Sequence, residues 1–246
     1  MMRPFLFLLF AAAAAVAPAG PMRFASGARQ VALIELYTSE GCSSCPPAER
    51  WLAGLHDDAG LWRDFVPMAF HVSYWDNLGW PDRFASRGFT ARQYALAAAW
   101  GSGSVYTPCF VRNGSEWHPS GDAPPAGGDT AAGVLAVTLN PDSGGCRVEF
   151  SPAGKASADY EAHVALLGGG LVSNVTAGEN EGETLRHEFV VLALADARMK
   201  TGGASAVAEM KLPESKTGGG ERRAVAVWIT RRGTLVPVQA TGGWLR

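Results

Sequence analysis

The signatures of the large enzyme families are missing from this 246-residue chain. There is no G-x-x-x-x-G-K-[ST], no G-x-S-x-G and no H-E-x-x-H. Nucleotide-hydrolase, serine-hydrolase and zinc-protease readings therefore have no anchor. Charge of one sign is also lacking. Twenty-one Lys and Arg stand against 23 Asp and Glu, a net charge of −2, so nothing draws the chain to nucleic acid or to an anionic membrane. The apolar run Phe5–Ala17 falls short of the roughly 20 residues that a bilayer-spanning helix needs. Four cysteines are too few to staple a disulfide-rich mini-protein, so their spacing has to carry the information.

What is present fits a folded protein rich in turns. Hydrophobic residues make up 47% and charged residues 18%, enough for a packed core and unlike a disordered chain. Thirty Gly and 15 Pro favour many short strands over a helix bundle.

Residues 1–19 read as a secretory signal peptide. Arg3 precedes the apolar run, and Ala17-Pro18-Ala19 supplies small residues for cleavage after Ala19. Cleavage after Ala17 and an uncleaved N-terminal anchor are the alternatives, and no cysteine nearby suits a lipid anchor. The expected location is periplasmic or secreted, with no stable membrane insertion after cleavage. Disulfides persist in such a compartment.

Along the remaining chain, VALIELYT (Val31–Thr38) and FVPMAFHV (Phe65–Val72) read as strands, the first of them buried on both faces. A helix should start near Cys45, where Pro46 and Pro47 remove only donors without helical partners. A second helix is expected from Thr90 to Trp100. Asn113-Gly114 marks a hairpin. Residues 122–133 have a linker composition, and six to eight short strands follow. The expected fold class is an α/β domain over residues 28–121, followed by an all-β antiparallel sandwich-like domain over residues 134–246.

The chemistry is carried by Gly41-Cys42-Ser43-Ser44-Cys45-Pro46-Pro47 at a strand–helix junction. Two intervening residues let the sulfurs close a disulfide, and the helix start favours the thiolate of the first cysteine. Cys42 is expected to lie at the surface as the attacking thiol, with Cys45 more buried as the resolving one. Thr107-Pro108 opens a later strand at a place where a cis bond is allowed. Cys109 is expected to be free and buried, rather than bridged to Cys146.

The motifs ELYTSEGCSSCPPAE, AFHVSYWDNLGW, SVYTP and TLRHEFVV occur in order. On them the chain resembles the exported bacterial family known as domain of unknown function 1223 over roughly residues 30–240. That resemblance implies a thioredoxin-like N-terminal domain in which Thr107-Pro108 packs against the dithiol and pairs with a partner's extended segment. It also implies that the buried acid Glu35 accepts the proton of Cys45, a capping or pairing role at the sheet being the alternative. Two positions depart from the expected pattern: Ser73 stands where an acid is expected, and Cys109 directly follows the Thr-Pro pair.

Three further residues frame the site. His71 ends the second strand near the dithiol if the two strands are parallel, and a loop-bracing role is its alternative. Tyr74 belongs to an aromatic rim with Trp75 and Trp80, which could equally plug an interface. His187 is assigned a structural role. The sequence thus points to a thiol–disulfide oxidoreductase acting on protein thiols or disulfides of the cell envelope, without a cofactor. Its rivals are a binding or assembly module with a static Cys42–Cys45 disulfide, and a copper-delivery protein using Cys42, Cys45 and His71.

Overall fold

The computed structural model describes residues 20–154, 159–218 and 220–246. The signal peptide expected over residues 1–19 lies outside the described residues. The chain runs through β1 (Met22–Ala25), β2 (Ala32–Thr38), α1 (Pro46–Gly54), β3 (Phe65–His71), α2 (Arg87–Ala99) and the hairpin of β4 (Cys109–Arg112) and β5 (Ser115–Trp117). It continues through β6 (Gly133–Asn140), β7 (Gly145–Pro152), β8 (Tyr160–Gly169), β9 (Leu171–Asn174), β10 (Thr184–His187) and β11 (Val190–Arg198). The last elements are β12 (Lys200–Gly202), β13 (Ser205–Lys211), β14 (Arg222–Arg231) and β15 (Pro237–Trp244).

The local signals act as physical chemistry requires. Pro46 and Pro47 occupy the first turn of α1. Asn113 and Gly114 both have positive φ, 50° and 80°, the twist that a two-residue hairpin turn demands. One helix start differs from expectation. Ser86, not Thr90, caps α2 by accepting from Gly88 N, because Thr90 Oγ1 is engaged by Ser73 N at 2.9 Å.

The expected fold class is corrected. Among the described residues the structure is mostly β, with two α-helices, and shows no α/β thioredoxin-like domain followed by a separate sandwich. Eight strands from both halves form one sheet in the order β15-β14-β8-β11-β3-β2-β4-β5. The joint is β11, which pairs in parallel with β3 and antiparallel with β8. A five-stranded sheet, β1-β6-β7-β13-β12, and the hairpin β9–β10 complete the fold. The correction has a physical cause: β3 is buried along its whole length, so both its edges need partners. β2 supplies one edge and β11, about 120 residues later, the other.

Side-chain alternation then sorts the faces of the large sheet. Glu35 and Tyr37 of β2 point to the face carrying α2, where Arg92 meets Glu35 and Phe89 packs edge-on against Phe70. Thr38 and His71, paired in register, point to the opposite face, where Thr38 bonds Glu49 of α1. On that same opposite face, Val225, Val227 and Ile229 of β14 join a core with Leu135, Val137, Val148 and Phe150 of the five-stranded sheet. β15 closes toward the start of β2: Gln239 Oε1 accepts from Val31 N at 2.8 Å.

Candidate functional site

Where β2 ends, a tight turn delivers the dithiol to α1. Cys42 N donates to Ser39 O at 3.1 Å, Cys45 N to Cys42 O at 3.2 Å, and Glu49 N to Cys45 O at 3.1 Å. The Cys42 and Cys45 Cα atoms lie 5.4 Å apart and the sulfurs form a disulfide. Ser44 Oγ lies 3.4 Å from Cys42 Sγ.

Both cysteines are fully buried, at 0% exposure, whereas Cys42 was expected at the surface. The cover comes from the connection between β9 and β10. Asn180 Nδ2 donates to Glu40 O at 2.8 Å and to Cys42 O at 3.0 Å. Ser43 donates to Glu179 Oε2 through N at 3.1 Å and through Oγ at 2.8 Å. On another side, a Cβ on Gly41 would come within 3.1 Å of Trp75 Cβ, so glycine lets the indole approach. Trp75 Nε1 donates to Thr107 Oγ1 at 2.8 Å, which ties the dithiol loop to Thr107-Pro108. That peptide bond is cis.

The remaining expected site residues fall in different places. Glu35 is not brought to the dithiol. It lies on the α2 face in a bidentate ion pair with Arg92, at 2.8 and 2.9 Å, and accepts from Tyr37 Oη at 2.9 Å. Tyr74 is half-buried, donates to Gln93 Oε1 at 3.3 Å, and is pushed up to about 12 by burial. His71 is fully buried on the dithiol side of the sheet. Cys109 and Cys146 are free and buried, and burial raises their thiols to about 11 and about 12.

Sequence reasoning missed the polar cluster beneath the dithiol turn. Glu49 accepts from Thr38 Oγ1 at 2.6 Å and pairs through its other oxygen with His187 Nδ1. His187 Nε2 lies 3.1 Å from Glu40 Oε1, and Trp80 Nε1 donates to Glu40 Oε2 at 2.7 Å. His71 Nδ1 meets Asp82 Oδ2 at 2.6 Å. Burial opposes the charges on Glu49, His71, Asp82 and His187, yet the pairing wins. His187, desolvated but held by Glu49 and Glu40, rises to about 10. Burial would raise Glu49 and Asp82, but the imidazoles of His187 and His71 hold both below the usual carboxylate range. The signal was present as acids two residues before and four after the cysteine pair, and in the histidine of TLRHEFVV. No spacing rule links residues 40, 49 and 187.

Beside this cluster a cleft of about 470 Å³ opens between the start of α1 and the β9–β10 connection. Arg50, Arg186, Glu179, Glu181 and Glu49 are among its lining residues.

Residues 33–230 match the family described as protein of unknown function (DUF1223). The chain belongs to this family. The DUF1223 span begins inside β2 and ends inside β14, so it takes in the dithiol turn, the buried cluster and the covering connection. Two solved structures resemble it. One is a structural-genomics crystal structure of an Agrobacterium tumefaciens protein, 23% identical with a TM-score of 0.60, covering 88% of this chain and 94% of that one. The other is HBP35 of Porphyromonas gingivalis, 11% identical with a TM-score of 0.57, covering 89% of this chain and 76% of that one. At these identities the likeness of the DUF1223 chain to both is one of fold. No curated protein matches it.

Proposed function

We propose that this DUF1223 protein is an exported thiol–disulfide oxidoreductase, with Cys42 as nucleophile and Cys45 as resolving thiol. The observation that carries the reading is the Cys42–Cys45 pair itself, at disulfide distance where a buried strand turns into a helix. Thr107-Pro108, tethered through Trp75, adds a candidate edge for a client segment. In the reducing direction, the Cys42 thiolate attacks one sulfur of a client disulfide. A mixed disulfide forms and one client thiolate leaves. Cys45, having lost its proton, then attacks Cys42 Sγ, releasing the second client thiolate and closing Cys42–Cys45. Oxidation of a client dithiol is the same path reversed. No described helix is long and apolar enough to cross a membrane. A mature chain starting near Gly20 in periplasmic material would support export, and one starting at Met1 in membranes would oppose it.

Burial of both sulfurs favours a second reading, a static disulfide that staples the turn to α1 in a binding or assembly module. Trapping separates the two. Under the redox reading, Cys45→Ser accumulates mixed disulfides with envelope proteins while Cys42→Ser traps few, and limiting iodoacetamide labels reduced Cys42 before Cys45. Absence of adducts from both variants, or first labelling at Cys45, supports the static staple.

A further inference from the structure

We propose that Glu49, His71 and His187 form a binding site for one zinc-type divalent metal ion per chain, buried beneath the dithiol turn. One ligand atom from each of the three lies within 4.8 Å of the others, and all three residues are buried. Two imidazoles and a carboxylate are a donor set that suits Zn²⁺.

The outer contacts distinguish this arrangement from an ordinary buried ion-pair network. Metal-ligating histidines characteristically give their second nitrogen to a carboxylate or carbonyl, which fixes the ring and its tautomer. Both histidines here meet that condition. His71 Nδ1 is held by Asp82 at 2.6 Å, and His187 Nε2 lies 3.1 Å from Glu40 Oε1. Glu49 is likewise fixed through Oε1 by Thr38 Oγ1 at 2.6 Å. The atoms not held by these outer partners are His71 Nε2, His187 Nδ1 and Glu49 Oε2.

His71 Nε2 supplies the second, independent observation. The side chain is fully buried, yet this nitrogen has no hydrogen-bond partner. An ionised Asp82 can only accept, so the proton of that bond sits on Nδ1, and Nε2 is the nitrogen left for a metal, giving up its own proton where the ring is charged. A buried polar atom without a partner is costly and calls for an explanation, an ion among them. His187 Nδ1 and Glu49 Oε2 now face each other directly. There, the metal would take the place of the proton they share, as ligand deprotonation on metal binding requires. Glu49 belongs both to the cluster and to the wall of the open cleft, which sets the site directly behind that wall.

This site is independent of the redox reading, since no cysteine is in the donor set. The test strips the purified full-length protein with a chelator, then titrates Zn²⁺ against a chromogenic competitor and records the Co²⁺ absorption spectrum. Saturable binding of one ion per chain is expected. It should weaken at least tenfold in His71→Gln and in His187→Gln, weaken in Asp82→Asn, and persist in the Cys42→Ser/Cys45→Ser double variant. Circular dichroism checks that the variants fold. Should the histidine variants unfold, the wild-type Co²⁺ spectrum decides: nitrogen and oxygen ligation without a sulfur charge-transfer band is expected. No stoichiometric binding, binding that survives both histidine variants, or a cobalt–sulfur band lost with the cysteines would each overturn the proposal.

Discussion

Glu35 lies at 0% exposure between the Arg92 guanidinium and the Tyr37 hydroxyl. Removing one member of a buried ion pair leaves the other uncompensated, at a cost of about 3–5 kcal/mol. Glu35→Ala should therefore lower the unfolding free energy by roughly that amount in a denaturant titration, while leaving the potential of the dithiol on the other face unchanged. A shifted potential with undiminished stability would show that Glu35 serves the thiols instead. The free cysteines give a pH signature. An unfolded thiol ionises near about 8.5, whereas folded Cys109 and Cys146 hold their protons to about 11 and about 12. Above about pH 8.5 the unfolded chain binds fewer of these protons than the folded one, so stability is full below that pH and falls as pH rises toward the folded values. The difference in stability between wild type and Cys109→Ala/Cys146→Ala should slope across that window, and a flat difference would contradict the burial. At this scale the sequence revealed residue types better than partners. Cys42, Cys45 and the cis bond at Pro108 sit in local motifs, whereas the place of Glu35 depends on which face of β2 meets α1. Alternation alone does not say which helix lies on which side.

The connection between β9 and β10 is the element that decides access. Asn180 holds two carbonyls of the dithiol turn from more than 130 residues away in sequence. Asn180→Ala should cost about 1–3 kcal/mol by leaving those groups unpaired. Reduction of Cys42–Cys45 by dithiothreitol should also be several-fold faster, followed by thiol release. An unchanged rate would mean that Asn180 is not the cover that limits access. Ser86→Ala should cost about 1 kcal/mol through the lost cap of α2, and an unchanged stability in a denaturant titration would show that Ser86 does not cap it. The start of α1 and the β4–β5 hairpin are legible because prolines and Asn-Gly act within a few residues, whereas the cap of α2 falls on Ser86 rather than on the expected Thr90. The surface position expected for Cys42 failed because a strand–dithiol–helix pattern says nothing about a distant loop folding over it.

Across the whole molecule, the shared eight-stranded sheet couples the two halves of the chain. β3 depends on β11 for one edge, and an unpaired buried edge is both costly and sticky. A fragment of residues 20–121 should therefore remain unfolded or associate, as judged by dispersion of its amide NMR spectrum, and a well-dispersed monomeric spectrum would contradict the coupling. Composition changes at the Gly/Pro-rich stretch 122–133, which suggests a division of the chain there. Strand pairing between residues 69 and 190 leaves no trace in composition. The strand-rich texture after residue 133 was legible, but its merger with the first strands was not. The central claim, that Cys42–Cys45 exchanges electrons with clients, is tested most directly by equilibrating the protein in glutathione redox buffers and quantifying the two thiols by mass. A midpoint above about −300 mV, accompanied by catalysed reduction of insulin, is the result expected of a working dithiol. A disulfide that stays closed in every buffer, with a midpoint far below about −300 mV and no turnover, would contradict it.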